Sequence, residues 1–196
     1  MEIKAQEVAK LRALTNAGMM DCKKALEESG GDFDKAVEYL RKKGAATSAK
    51  RADKEAKEGF IAAYAHGGRI ASMVEINCET DFVAKNKDFQ EFVRDIAMQV
   101  AASSPQYISR EDVPKKVIEK EKEIKLEKLA GQKKPKGILD KIIEGKLEKF
   151  YEQACLMDQP YIKDTDIKVT DFVNEKVASI GEKIQIRRFE RFEIGK

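Results

Sequence analysis

The segment FIAAYAHGGRIASMVEINC (residues 60–78) decides the fold class. It consists of two strand-like runs on either side of Gly67 and Gly68, and glycine tolerates the positive φ angles that a tight hairpin turn requires. The segment therefore predicts an antiparallel β-hairpin with strands at 60–66 and 69–78. In the second strand, apolar side chains at a period of two residues share one face of the sheet. These are Ile70, Val74, Ile76 and Cys78.

A third strand and two helices complete the predicted core. The run KIQIRRFERFE (183–193) indicates a final strand. Apolar residues at helical spacing predict a helix over 84–102, and Thr170 is a suitable N-cap for a last helix that ends at Gly181. Three antiparallel strands packed with helices define the α+β class. A sheet this small also leaves both of its edges exposed.

Residues 3–44 predict a compact bundle of three short helices, which we assign to a domain of residues 1–45. Val8, Leu11 and Leu14 recur at helical spacing in the first helix. The second helix ends at two glycines, Gly30 and Gly31, which suit a left-handed C-cap. The third helix then begins after a natural N-cap, Asp32.

The remaining segments differ from these in composition. Residues 46–59 are rich in Ala and Lys and predict a linker, either an exposed helix or a flexible tether. Two charged helical segments within 113–156 predict an antiparallel helical hairpin that stands out from the body. Residues 60–112 and 157–196 then form the α+β core domain, which we assign to a dimerisation type.

The composition is balanced and heavily charged. Charged residues make up 37% of the 196 residues, yet the net charge is only +3. Such a composition is typical of soluble, helix-rich proteins and gives no single-sign field for direct nucleic-acid binding. No run approaches the roughly 18 apolar residues of a membrane span, and the N-terminus lacks the features of a secretory signal. Three scattered cysteines favour reduced thiols, so we expect a cytoplasmic protein without membrane contact.

The residue types that a catalytic site needs are sparse. The single histidine, His66, lies beside the hairpin glycines, where a surface or turn role is favoured over that of a catalytic base. The sequence contains neither clustered metal ligands nor a glycine motif that binds nucleotide phosphates. We therefore expect no enzyme activity, no metal site and no cofactor.

The joint between the second strand and the following helix carries an acid and a large aromatic residue, Asp81 and Phe82. Phe82 precedes Phe89 by seven residues, so a single helix through both would place both rings on its buried face. If Thr80 or Asp81 instead caps the helix, Phe82 falls in the first turn, where burial and exposure are both open. The periodicity alone favours a core position.

Several stretches resemble the bacterial elongation factor Ts family. The N-terminal module of that family is similar to VAKLRALTNAGMMDCKKALEESGGDFDKAVEYLRKKG (8–44), and its central motif to NCETDFVAKN (77–86). Its later segments are similar to EGKLEKFYEQACLMDQPYI (144–162) and KIQIRRFERFEIG (183–195). The bundle also resembles ubiquitin-associated domains, of which GGDFDKAVEYL is typical. The likeness to the family covers nearly the whole chain.

The resemblance implies a guanine-nucleotide exchange factor for elongation factor Tu, the GTPase that delivers aminoacyl-tRNA to the ribosome. In the family, an aromatic ring enters a pocket between helices of the partner's G domain. The intrusion disturbs the nearby Mg²⁺ site and promotes release of GDP. The resemblance assigns this role to the segment Thr80, Asp81, Phe82 and Val83 and requires an exposed Phe82.

The resemblance implies two further contacts with elongation factor Tu. In the family, the first two helices of the bundle dock on the G domain, which assigns contacts to Arg12, Met19, Met20 and Lys23. Met19 and Met20 can equally be ordinary packing residues at a helix start. His66 lies in a stretch similar to one that faces the partner, and a weak contact is expected there.

The oligomeric state follows from the same resemblance. Longer members of the family carry two related core halves, whereas this chain has one, which implies a homodimer that supplies both. The small open sheet favours the same state.

Two other functions compete with the exchange factor. An RNA-binding translation factor is indicated by the Lys-rich linker and GQKKPKG (131–137), but the strands lack aromatic residues set among basic ones for base stacking. A peptide- or ubiquitin-binding adaptor built on the bundle would leave TDFVAKN (80–86) without a role.

Overall fold

The computed structural model describes residues 3–15, 17–127 and 136–196. Within these residues the elements are, in chain order, α1 (Ala5–Thr15), α2 (Met19–Glu28), α3 (Phe33–Arg51), β1 (Glu58–His66), β2 (Ile70–Cys78), α4 (Asp81–Ala84), α5 (Lys87–Ser103), α6 (Lys115–Glu127), α7 (Lys136–Ala154), β3 (Pro160–Tyr161), β4 (Asp164–Lys168), α8 (Val169–Ile180) and β5 (Gln185–Glu193).

The chain divides into two compact units, Met1–Met98 with Thr170–Lys196, and Gln99–Val169. The finer domain boundaries that the sequence indicates, after residues 45, 59, 112 and 156, stay a prediction. Among the described residues, the longest helices are too polar to cross a membrane.

Helices α1, α2 and α3 form the predicted three-helix bundle around one small core. Gly30 and Gly31 end α2 with φ angles of 64° and 87°, and Asp32 caps α3 by accepting a hydrogen bond from Lys35 N (3.1 Å). Leu14 shares the helical spacing of Val8 and Leu11 but lies outside this core, with its side chain 69% exposed near the end of the helix. The core residues are Val8, Leu11, Cys22, Ala25, Leu26, Ala36 and Leu40.

Helix α3 continues beyond the glycine at which the sequence predicts its end. Gly44 is buried, and a Cβ atom built there would lie 3.1 Å from the backbone oxygen of Asn174 in α8. This glycine therefore permits a close approach of two helices instead of ending one. The Ala-rich residues after it are good helix formers, so α3 extends through the first part of the predicted linker to Arg51.

Strands β1, β2 and β5 form an antiparallel sheet in that order. Gly67 and Gly68 make the hairpin turn with φ angles of 56° and 66°, which confirms the prediction. On the predicted inner face of β2, Val74, Ile76 and Cys78 are fully buried, and Ile70 at the start of the strand is half-buried. The α+β class is therefore confirmed.

Helix α5 packs on the buried face of this sheet. Ser72 Oγ donates a 2.6 Å hydrogen bond to Ala97 O, and the guanidinium of Arg94 lies 5.6 Å from the centroid of the Phe60 ring. Helix α8 joins the same layer through the rings of Phe92 and Phe172, whose centroids are 5.2 Å apart. Helix α8 begins at Val169, so the N-cap role predicted for Thr170 was wrong; Thr170 lies in the first turn.

The unit Gln99–Val169 contains the two charged helices and a small sheet. Helices α6 and α7 pack through apolar residues that include Ile118, Ile143 and Leu147. Residues 131–135 of the predicted connection between them lie outside the described residues. The antiparallel pair β3–β4 was not predicted, because its strands span two and five residues and are too short for a periodic signal.

Candidate partner-binding surface

Thr80 is the fixed point of the turn between β2 and α4. Its N–H donates to Glu182 Oε2 (3.0 Å) and its hydroxyl donates to Glu182 Oε1 (2.7 Å). The same hydroxyl oxygen accepts from Val83 N (3.4 Å), which makes Thr80 the N-cap of α4. Its carbonyl accepts from Ala84 N (3.2 Å) and from Cys78 Sγ (3.2 Å). Every polar atom of Thr80 is thus bonded within the chain, which fixes the turn.

Glu79, the preceding residue, ties this turn to two distant segments. Its N–H donates to Glu182 Oε2 (3.1 Å), while its own carboxylate accepts from Lys183 N and from Arg51 Nη1 (2.8 Å). The hydrogen bond from Lys183 N lowers the pKa of Glu79 most, and the hydrogen bond from Arg51 lowers it further. Lys183 Nζ donates to two backbone oxygens just after α3 (2.7 and 2.9 Å). The turn is therefore joined both to the start of the last strand and to the end of the bundle.

Phe82 lies on the first turn of α4 and is 82% exposed, whereas Phe89 is fully buried. The helical register that would have aligned the two rings is interrupted. Helix α4 ends at Ala84, and Asn86 begins a new helix by accepting a hydrogen bond from Asp88 N on its Oδ1 (2.8 Å). The seven-residue spacing therefore does not place Phe82 in the core, and the ring lies in solvent as the resemblance requires.

The two neighbours of Phe82 have different environments. Asp81 Oδ2 pairs with Lys85 Nζ at 2.7 Å, one helical turn further along. The hydrogen bond from Lys85 lowers the pKa of Asp81, so this carboxylate stays charged near neutral pH. Val83 is half-buried. Of the four residues in the segment, Phe82 is the one with a large exposed apolar surface.

The bundle residues that the resemblance assigns lie on its surface. Met19 and Met20 open α2 and are 54% and 73% exposed, so neither belongs to the bundle core. Arg12 is exposed on α1, and Lys23 Nζ lies 3.8 Å from Glu27 on α2. Leu14 adds a further exposed apolar side chain that the sequence did not reveal, because its helical spacing matched that of the buried residues.

A cleft of about 820 Å³ brings the two predicted contact regions together. The bundle contributes Arg12 and Met19 to its wall, and the turn after β2 contributes Val83. Glu91 of α5 and Lys176 of α8 add opposite charges to the lining. One concave surface therefore carries residues from both the bundle and the Thr80–Val83 segment.

His66 lies far from this cleft. It ends β1 opposite Ile70, whereas Thr80 follows the other end of β2, and the rise of a strand puts about 27 Å between the two ends. His66 is exposed, and its Nδ1 lies 3.0 Å from Tyr64 Oη. The structure does not bring His66 together with the other predicted contacts.

The residues that hold the turn in place are not evident from the sequence. Glu182 and Arg51 are separated from Thr80 and Glu79 by about 100 and about 30 residues, so no local pattern links them. One sequence feature marks the position of Glu182, which directly follows Gly181. In the structure Gly181 has a φ of 82° where the chain leaves α8.

Comparison with known proteins agrees with the sequence motifs. The family model described as Elongation factor TS matches residues 2–196. Elongation factor Ts of Thermodesulfovibrio yellowstonii is 58% identical over 195 residues, which cover 100% of this chain and 98% of that relative. The chain belongs to the elongation factor Ts family.

Other members of the elongation factor Ts family align over similar lengths. The Moorella thermoacetica protein is 58% identical over 194 residues, or 98% of this chain and 96% of the relative. The Myxococcus xanthus protein is 56% identical over 194 residues, or 99% of this chain and 89% of the relative. Membership of the elongation factor Ts family makes the chain a translation elongation factor that takes part in protein biosynthesis.

Proposed function

We propose that this chain is a guanine-nucleotide exchange factor that places Phe82 in the G domain of elongation factor Tu. The observation that carries the proposal is the 82% exposure of a phenylalanine on a turn whose backbone is fixed. A large apolar ring gains free energy when it is buried, and a ring on a rigid turn loses little conformational entropy in a complex. Phe82 is thus suited to enter an apolar pocket of a partner.

The proposed effect on the nucleotide is indirect. A Mg²⁺ ion that bridges protein and phosphate requires a nearly fixed octahedral geometry, so a small shift of the supporting helix weakens both ion and GDP. The chain makes and breaks no covalent bond in this mechanism and needs no cofactor of its own. We propose that it acts in the cytoplasm on elongation factor Tu and does not bind nucleic acid directly.

The free energies require more than one contact. A 1,000-fold weakening of GDP binding corresponds to about 4 kcal/mol of differential binding. Burial of one phenylalanine supplies about 1.5–3 kcal/mol, which is less than this amount. We assign the difference to the bundle, whose Arg12 and Met19 share a cleft with Val83, and whose Met20 is exposed nearby on α2. Contact through Lys23 and a weak contact through His66 remain part of the proposal.

The outer face of the sheet supports the proposed homodimer. This face carries exposed apolar side chains on all three strands, Ile61 on β1, Met73 on β2 and Phe192 on β5. Their exposed fractions are 55%, 52% and 67%. A second copy of the chain that packs on this face would bury them. We propose that two chains associate in this way.

Release of a fluorescent GDP from elongation factor Tu, followed by stopped flow, tests the exchange function. The expected result is a release rate that rises with the concentration of this chain and then saturates. Linkage adds a second requirement: saturating GDP must weaken the binding of this chain by the same factor by which the chain weakens GDP. Release at the intrinsic rate at every concentration would eliminate the proposal and favour a binding adaptor.

A further inference from the structure

We propose that Glu182 is the positioning residue of Phe82, and that its carboxylate sets how effectively the chain promotes nucleotide release. The inference rests on the proposed exchange function and adds a residue to it. Glu182 lies between α8 and β5, outside both predicted contact regions, and acts through the turn that presents the aromatic ring.

The carboxylate of Glu182 holds two successive residues at once. Oε2 accepts from the N–H groups of Glu79 (3.1 Å) and Thr80 (3.0 Å), and Oε1 accepts from the Thr80 hydroxyl (2.7 Å). Hydrogen bonds to a charged acceptor are shorter and stronger than those between neutral groups. Both oxygens are used, so the carboxylate fixes the direction of the backbone as it leaves β2.

The position of Phe82 depends on this turn because little else holds the ring. With 82% of the residue exposed, the side chain has few packing neighbours to select one placement. Helix α4 is four residues long, and a single turn has little stability without its cap. The cap is Thr80, whose hydroxyl is oriented by Glu182 while it accepts from Val83 N. Loss of the Glu182 carboxylate therefore frees the turn and, with it, the ring.

The same junction extends to the bundle. The carboxylate of Glu79 accepts from Lys183 N and from Arg51 Nη1, and Arg51 is the last residue of α3. Glu79 thus donates to Glu182 and accepts from the next residue, Lys183, and Arg51 joins the bundle to this pair of chain segments. The three residues place the segment with Phe82 and the end of α3 at one junction.

A matched control for this role exists elsewhere in the chain. Asp112 Oδ2 accepts from Ser109 N (2.9 Å) and from Ser109 Oγ (2.7 Å), the same two kinds of donor that Glu182 takes from Thr80. Asp112 lies in the unit Gln99–Val169, and both of these hydrogen bonds stay within residues 109–112. Replacement of Asp112 therefore removes similar hydrogen bonds without affecting the placement of Phe82.

The test measures GDP release from elongation factor Tu with full-length Glu182→Ala, Glu182→Gln, Asp112→Ala, Phe82→Ala and the double variant Glu182→Ala/Phe82→Ala. Each is compared at a temperature at which circular dichroism shows it to be folded. We expect Glu182→Ala to reduce the saturating release rate about tenfold, Glu182→Gln to reduce it less, and Asp112→Ala to leave it unchanged. Because Glu182 acts through Phe82, the double variant should be no slower than Phe82→Ala alone.

A second readout does not require the partner. Amide hydrogen exchange at Val83 and Ala84 reports the opening of the turn in the free chain. It should accelerate about tenfold or more in Glu182→Ala and stay unchanged in Asp112→Ala. Unchanged protection in Glu182→Ala would overturn the positioning role, whatever the exchange activity.

The outcomes separate the two proposals. If the wild-type chain accelerates release and Glu182→Ala matches it, the role of Glu182 is refuted and the exchange function stands. An equal slowing by Glu182→Ala with and without Phe82 would also refute the role, because the effect would not pass through the ring. No acceleration by the wild type removes the exchange function and this inference together.

Discussion

Replacement of Phe82 by alanine should leave the stability of the folded chain almost unchanged. The residue is 82% exposed, so about 18% of a phenylalanine surface of roughly 200 Å², or about 36 Å², is buried. At about 25 cal/mol per Å² this burial contributes about 0.9 kcal/mol at most. For a chain of this size, that loss lowers the melting temperature by about 2–4 °C or less.

Phe89→Ala is the matched control, since this ring is seven residues away and fully buried. Its truncation leaves a cavity in the core and should cost about 3–5 kcal/mol. Thermal and urea unfolding of the two variants, followed by circular dichroism, should therefore separate them by at least about 2 kcal/mol. Equal destabilisation by both substitutions would place the Phe82 ring in the core and refute the account of the Thr80 turn.

Three further predictions concern the cysteines and the sheet. Burial raises the pKa of the Cys78 and Cys155 thiols to about 11. Neither thiol should therefore react with a disulfide reagent at pH 8 until urea unfolds the chain. Rapid reaction of the folded chain would contradict their burial. In the folded chain the pKa of these thiols is raised above the unfolded value of about 8.5. The two thiols therefore contribute stability that is fully present below about pH 8.5 and is lost as the pH rises towards 11. Urea unfolding at pH 8 and pH 10 measures this loss of stability. Met73→Glu should shift the chain towards a monomer in sedimentation experiments, since it places a charge on the proposed dimer face. An unchanged mass of the variant would exclude that face as the dimer interface. Glu123→Lys, on the exposed surface of α6, serves as the control.

Much of the fold could be predicted because its signals are local. The hairpin follows from Gly67 and Gly68, whose positive φ angles suit no other residue as well. The start of α3 follows from Asp32, whose side chain bonds a backbone N–H three residues away. In both cases the residues that determine the structure lie within four positions of the feature they produce.

The features that the sequence did not reveal depend on residues far apart in the chain. Gly44 resembles a helix end, but its role is to admit the backbone of Asn174, which lies 130 residues further along. Leu14 has the spacing of a core residue, and only the packing of the finished bundle leaves it exposed.

The candidate site also combines features that the sequence indicates with features that depend on distant residues. The family resemblance indicated Phe82, whereas the periodicity alone favoured burial. The break in the helix before Asn86 decides whether Phe82 is exposed or buried. The seven-residue spacing of the two phenylalanines does not indicate this break. The contact between Thr80 and Glu182 joins positions about 100 residues apart, so it required the folded chain.

The most direct test of the central claim is the rate of GDP release from elongation factor Tu with saturating wild-type chain and with saturating Phe82→Ala. We expect strong acceleration by the wild type. We also expect truncation of the ring to reduce the release rate about 10- to 100-fold, which corresponds to the roughly 1.5–3 kcal/mol that burial of the ring supplies. Equal acceleration by the two proteins, with both shown to be folded and bound, would contradict the claim that Phe82 drives nucleotide release.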